Sequence, residues 1–505
     1  MSAESWLLLV VLCSSLVTGL IIFVLPERSK TTRTTLNMVG ATVKVLGVFV
    51  MGWGLLAHGT VYELGFSMGL GFEFLLRVDL LSLVFVSLSS NLWFLTTMYA
   101  VGYLEDSHNK SRFFGFFSLC VTASTGVALS GNLITFFIFY EFLTLVTYPL
   151  VVHKATPEAL AAGRTYLWYA MTAGAVLLWG VAWIQVVVGP FDFVPGGVFQ
   201  SASGLPRAEL IAIFVLLIFG LSVKSALIPM HGWLPKAMVA PAPVSALLHA
   251  VAVVKAGAFG VLRVVLDVYG KEFAAELGVL GPLAVVVSAT IIFGSLRALM
   301  QNNLKRRLAY STVSQVSYIA LGAVILAPLA TTGGLAHLVH QGIMKITLFF
   351  CAGIMAKTRG IQGIDQMDGI GRSMPLTMAA FSIASLGMIG VPPVAGFVSK
   401  WYLAAGGIQA GEHWVVVLLV LSSALNAGYF LPILHAAWFK SAPETETAVA
   451  LDPAQPGRKM EAPWSLLVPT LATAFFCLAA GVFAGWVWSP LGVAEQITFG
   501  REVGP

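Results

Sequence analysis

The chain has 505 residues, of which 58% are hydrophobic and only 10% charged, with a mean hydropathy of +0.88. A soluble domain carries about 25% charged residues, so a globule coated with polar side chains is excluded. The formal net charge is +5, with no basic arm and no Gly-rich phosphate loop, and neither nucleotide nor nucleic acid is expected as a ligand.

Apolar runs near 20 residues match a hydrocarbon layer of about 30 Å. The first, "WLLLVVLCSSLVTGLIIFVL" at 6–25, is preceded by Glu4 and by no basic cluster, which predicts a retained span rather than a cleaved signal peptide. Read with a window of about 19 residues, the chain goes on through 37–57, 76–98, 113–130, 132–152, 165–188 and 208–228. It continues through 242–266, 278–298, 307–327, 334–356, 375–402, 412–438 and 464–489. These fourteen segments predict an all-α polytopic membrane protein embedded in a lipid bilayer. Cys13, Cys120, Cys351 and Cys477 lie far apart inside apolar runs without a CxxC pair, so no disulfide, metal site or other cofactor is expected.

Basic residues orient the array. Eighteen of the 28 lie in loops after odd-numbered spans and five in loops after even-numbered spans or in the tail. The positive-inside bias therefore places the odd loops in the cytoplasm and both termini outside.

The remaining five are Lys44, Lys224, Lys255, Lys345 and Lys400, all inside spans. Glu141 in "NLITFFIFYEFLTLVTYPLVV" is the one acid assigned to that depth, and His249, His337 and His340 join it. A lysine at the bilayer centre costs roughly 2.5–3.5 kcal/mol, so five together oppose insertion by on the order of 10 kcal/mol. Ordinary packing does not account for them. A buried lysine can keep or release a proton according to one nearby carboxylate, whereas arginine stays charged, so the pattern points to a proton relay. Lys44 is the exception: about two turns inside the cytoplasmic end of its span, it is expected to snorkel to the interface. His337 lies two turns before Lys345, within roughly 80° around the helix axis, while His340 points elsewhere.

Two spans break. "LIPMHGWLPKAMVAPAPVSA" holds Pro229 and Pro235, and "GMIGVPPVAGFVSKW" holds Pro392 and Pro393. Proline frees carbonyls by removing a donor, and free backbone groups at membrane depth are tolerated only within protein or beside a watery cavity. Lys224 precedes the first break and Lys400 follows the second. Paired interruptions of this kind point to an ion path.

The stretch "VKSALIPMHGWLPKAMVAPAPVSALLHAVAVVKAG" resembles the signature of the antiporter-like subunits shared by respiratory complex I, membrane-bound hydrogenases and Mrp-type cation/proton antiporters. "NNLKRRLAYSTVSQVSYIALG" and "HLVHQGIMKITLFFCAGIM" resemble that family's second-half motifs, and the likeness covers nearly the whole chain. It implies two inverted five-helix repeats, at 113–270 and 271–440, preceded by three helices in 1–112 and followed by a cytoplasmic loop and a last helix in 441–505. It also implies that Glu141 and Lys224 form an ion pair, that Lys255 with His249 is the first-half relay, and that Lys345 with His337 and His340 is the central one. Lys400 would be the terminal group. The chain stops soon after the last span without a long lateral helix, and "YEFLTLVTYPLVVHKATPEALAAGRTYL" looks closest to the D-type component of Mrp antiporters. The implied activity is proton movement, with Na+ as the candidate coupled ion, inside a complex of hydrophobic subunits in a bacterial or archaeal cell membrane. The alternative is the pumping arm of a NADH:quinone oxidoreductase or hydrogenase; a self-sufficient solute transporter fits less well, because few polar groups are available to hold a solute.

Overall fold

In hydrocarbon every backbone N–H and C=O must find its partner inside the protein, which leaves helices as the default spanning element. The computed structural model describes residues 3–69, 71–199, 204–441 and 461–500, so the loop expected from 441 onward lies mostly outside the described residues. In chain order α1 (Ala3–Val24) and α2 (Lys30–His58) are followed by a hairpin of β1 (Tyr62–Gly69) and β2 (Phe72–Val78). Next come α3 (Leu80–Tyr103), α4 (Lys110–Leu129), α5 (Leu133–Val151), α6 (Pro157–Val188) and α7 (Arg207–Lys224). Irregular turns then carry α8 (Trp233–Lys236), α9 (Ala242–Ala246) and α10 (Val253–Arg263), with π-helical turns at Leu247–Val251 and Val264–Tyr269. The second half holds α11 (Lys271–Glu276), α12 (Leu280–Leu299), α13 (Leu304–Val324), α14 (Pro328–Arg359), α15 (Ile370–Ser373), α16 (Pro375–Ile389), α17 (Ala395–Gln409) and α18 (Trp414–Phe439). It closes with α19 (Trp464–Val482) and α20 (Pro490–Phe499).

Ten helices among the described residues are long and apolar enough to cross a membrane. The other four segments expected to span are also helical but fail that test, each for a chemical reason. α7 carries Arg207, Glu209 and Lys224, and α13 is rich in Lys, Arg, Ser and Gln. The segment 242–266 passes through a π turn, and 375–402 is split into α16 and α17.

α14 occupies the centre. Its 32 residues run from Pro328 at its first turn to the left-handed Gly360 cap, and its membrane-length stretch is wholly buried. It packs against α3, α9, α13, α16, α17, α19 and α20. A helix buried on every side needs no amphipathic stripe, which frees its polar residues to face inner neighbours. The hairpin stands where the span pattern leaves only a connecting loop. Tyr62 pairs with Val78 and Glu63 with Arg77 in antiparallel register, and Arg77 bridges Glu63 and Asp192, each at 2.8 Å.

Candidate functional site

α7 ends at Lys224 because the chain beyond it cannot continue the helix. Ala226 takes a left-handed φ of 56°, and Pro229 follows. The carbonyls freed there find named donors: Trp233 Nε1 donates to Val223 O at 2.7 Å and the Leu227 amide to Ser222 O at 2.9 Å. Gly257 of α10 presses against this break, where a Cβ would overlap the Ser225 amide. Of the two prolines expected to interrupt the span, Pro229 lies at the break itself, whereas Pro235 sits inside the short helix α8.

Lys224 is 2% exposed. Its ammonium donates to Tyr140 O, lies 3.3 Å from the Tyr140 ring centroid, and is 3.9 Å from Glu141 Oε1. Charge, carbonyl and aromatic face all favour a cation there. Glu141 is not sealed in, since its side chain is 22% exposed. Its carboxylate fits against α6 only because residue 174 is glycine, where a Cβ would come within 2.7 Å of Glu141 Cδ.

The second break repeats the logic with the order reversed. α16 stops at Ile389, Gly390 turns with a φ of 97°, and Pro392 and Pro393 lead into α17. Lys400, one turn inside α17, reaches back to the last carbonyls of α16, donating to Met388 O and Ile389 O, each at 2.9 Å, and to Ser423 Oγ at 3.1 Å. A cation at a helix C-terminus is favoured by the partial negative charge there. Asn426 Nδ2 shares Met388 O at 3.0 Å, and Lys400 lies 5.4 Å from the Tyr318 ring.

Between the breaks, α14 gathers the remaining groups. Lys255, on α10, is fully buried and donates to Leu338 O of α14 at 2.6 Å. The neighbouring His337 bonds Ser399 Oγ through Nδ1 at 2.8 Å, and Ser399 adjoins Lys400. His249, on the π turn Leu247–Val251, packs its ring 4.6 Å from that of Phe349, one turn beyond Lys345. Lys345 donates to Leu308 O at 3.1 Å and to Ser311 Oγ. The break at α7 and the break at α16–α17 are thus both tied, through first neighbours, to one central helix.

Among the described residues, several buried polar atoms along this axis have no partner: both ring nitrogens of His249 and His340, His337 Nε2, Gln315 Oε1, and both ends of the Gln341 amide. A buried polar atom left unpaired costs about 1–3 kcal/mol, and ordered water is the usual remedy in a polar interior. His340 shares α14 with His337 but bonds none of the lysines directly.

Two sequence expectations are corrected. Lys44 does not snorkel: it is fully buried and donates to Thr125 Oγ1 at 2.9 Å. Glu141 is not the lone acid in the bundle. Arg263, at the end of the expected span 242–266 and counted with the outer loop that follows it, is 2% exposed in α10, with Asp79 Oδ2 and Asp267 Oδ2 each 2.7 Å from its Nη1. Asp267 falls one residue past the expected end of its span, which is why the i,i+4 pair escaped notice. Tyr140, Tyr318, Ser399, Gln315 and Gln341 were missed as well, since neutral side chains cost too little in an apolar run to stand out.

The model of the family described as NADH:quinone oxidoreductase/Mrp antiporter, TM, matches residues 130–426, a stretch that holds both breaks and all the buried groups on α5, α7, α10, α14 and α17. The chain belongs to that family. It is 36% identical over 394 residues to the N component of the NADH-quinone oxidoreductase of Desulforudis audaxviator, covering 76% of this chain and 77% of that one. It is 27% identical over 368 residues to the D component of the Na(+)/H(+) antiporter of Bacillus subtilis, covering 72% and 73%. Among solved structures it resembles a chain of the Mrp complex from Dietzia with a TM-score of 0.84 at 24% identity, over 99% of this chain and 98% of the other. This family member is an antiporter-like, multi-pass membrane subunit.

Proposed function

We propose that the chain is a proton-translocating subunit of a multisubunit membrane complex, of the kind of the D component in an Mrp-type sodium/proton antiporter. The observation that carries the reading is the set of buried lysines Lys224, Lys255, Lys345 and Lys400, tied to one another's surroundings through α14. Glu141 stabilises the Lys224 ammonium. As that pairing loosens, the proton leaves Lys224, passes His249 and Lys255, and is taken up at Lys345 and then Lys400. Both nitrogens of His249 and His340, His337 Nε2 and the Gln341 amide, which have no partner among the described residues, give water-borne protons places to pause. The second break supplies two carbonyls, Met388 O and Ile389 O, that receive an ammonium without binding it as tightly as a carboxylate does. In this reading the loops after odd-numbered spans face the cytoplasm, the termini lie outside, and 113–270 and 271–440 act as two inverted repeats. The partners are other hydrophobic subunits of the same complex.

The experiment is proton transport by the reconstituted complex, comparing wild type with Lys224→Met and Glu141→Gln. Both variants should assemble and lose cation-linked proton movement; wild-type transport in both would overturn the relay.

A second reading, the pumping arm of a redox complex, is favoured by the higher identity to the N component of an NADH-quinone oxidoreductase. In that case the electron chemistry belongs to partner subunits. Subunits that co-purify decide between the two: iron–sulfur or nickel proteins indicate the redox machine, small membrane proteins alone the antiporter.

A further inference from the structure

Lys44 lies at the middle of α2, and none of the groups assigned to the relay is among its hydrogen-bond or ring partners. Its ammonium is fully buried, bonds Thr125 Oγ1 of α4 at 2.9 Å, and lies 5.6 Å from the Trp93 ring centroid of α3. The Trp93 indole N–H is itself buried without a partner. No acid bridges Lys44 among the described residues. A charge held at that depth by a single hydroxyl is a costly arrangement for mere packing.

Thr125 is the inner end of a hydroxyl seam. Ser111, Ser118, Thr122 and Thr125 recur at helical spacing on one face of α4, and all are buried. At the outer end Glu27 accepts the Lys110 and Ser111 amides, each at 2.9 Å, and Arg33 Nη1 donates to Ser111 Oγ at 2.8 Å. One step deeper, Ser118 Oγ donates to Asn37 Oδ1 at 3.3 Å. Thr122 Oγ1 then meets Ser15 Oγ at 2.8 Å and donates to Ser118 O at 3.1 Å. Beside Thr125, Ser124 Oγ lies 3.1 Å from Ser89 Oγ and 3.4 Å from Val251 O, the last residue of the π turn that carries His249. Ser111 and Thr125 are about 21 Å apart along α4 at 1.5 Å per residue, most of the thickness of a hydrocarbon layer.

We propose that Lys44 is a further proton-holding site on a side branch, reached along this seam from the face that carries Glu27 and opening into the axis at the π turn Leu247–Val251. The proton hops between hydroxyls and water, rests on the Lys44 amine, and leaves past Ser124; no covalent bond changes. The proposal rests on the relay reading above and adds an entry to it.

The test measures proton uptake by the complex in proteoliposomes, with assembly checked on native gels. Lys44→Met should slow transport at least fivefold with assembly intact, and Thr125→Val should do the same while Thr125→Ser does not. Lys44→Arg keeps the positive charge but cannot release a proton, so it should remain slow; a wild-type rate in Lys44→Arg assigns the lysine a structural role and overturns the proposal. If Lys44→Met fails to assemble, Thr125→Val and the pair Ser15→Ala with Thr122→Val decide the matter, and wild-type rates in both overturn it. Lys224→Met runs alongside. Loss in Lys224→Met with full activity in Lys44→Met removes the branch alone, whereas full activity in both removes the relay itself.

Discussion

Replacing Glu141 by glutamine isolates one electrostatic contact. The side chain keeps its size, so the fit against Gly174 is retained, and only the charge 3.9 Å from Lys224 Nζ disappears. At an effective dielectric of about 20, two unit charges at that separation attract by about 4 kcal/mol. A tenfold change in an equilibrium corresponds to about 1.4 kcal/mol, so the charged lysine loses about a thousandfold in relative population. The contacts that remain, Tyr140 O and the Tyr140 ring, do not change. Transport in Glu141→Gln should therefore fall to the level of the empty membrane, as it should in Lys224→Met. Because the two residues act as a unit, their double variant should be no worse than either single one, which is the pattern of strongly coupled sites in a double-mutant cycle. Proton uptake in proteoliposomes, normalised to assembled complex, is the measurement. A Glu141→Gln rate above a tenth of wild type would refute the pairing.

Three further outcomes follow from the geometry. Lys255→Met, Lys345→Met and Lys400→Met should each assemble normally and block transport, read as absent proton uptake; retained transport in any one removes that residue from the route. Gly257→Ala should destabilise the complex by about 1–3 kcal/mol, the usual range for overpacking, since the methyl group would overlap the Ser225 amide; thermal melting in nanodiscs measures it. Arg263→Met should cost about 3–5 kcal/mol by leaving Asp79 and Asp267 facing each other without their cation. Adding Asp267→Asn should recover part of that loss in the same melting assay.

Much of this was legible before any coordinates, because hydrocarbon makes unusual residues conspicuous. Lys224, Lys255, Lys345 and Lys400 stood out as charges inside apolar runs, and Pro229 and Pro392–Pro393 as interruptions of them. All four lysines are buried, and the two breaks lie beside Lys224 and Lys400. What could not be read is rotation about an axis. The depth of Lys44 is plain from its position in α2, but whether it faces lipid or Thr125 depends on how α1, α2 and α4 pack. Backbone acceptors left no trace either. Tyr140, Leu308, Leu338 and Met388 act through their carbonyl oxygens, and no side chain announces that. The Arg263–Asp267 pair was hidden by a boundary drawn one residue short, and the 62–78 hairpin by alternation too weak to mark strands.

The oxygens that face the buried amines are mostly neutral. Thr125 serves Lys44, Leu338 serves Lys255, Leu308 serves Lys345, and Met388 with Ile389 serves Lys400; Lys224 has the carboxylate. With one counter-charge for these five amines among the described residues, the interior cannot carry many positive charges together. Two of them 10 Å apart repel by about 2 kcal/mol at an effective dielectric near 20. On the proposed relay, a newly arrived hydrogen ion would therefore evict the one ahead of it, so that traffic would run in single file and loading at one end would be felt at the other.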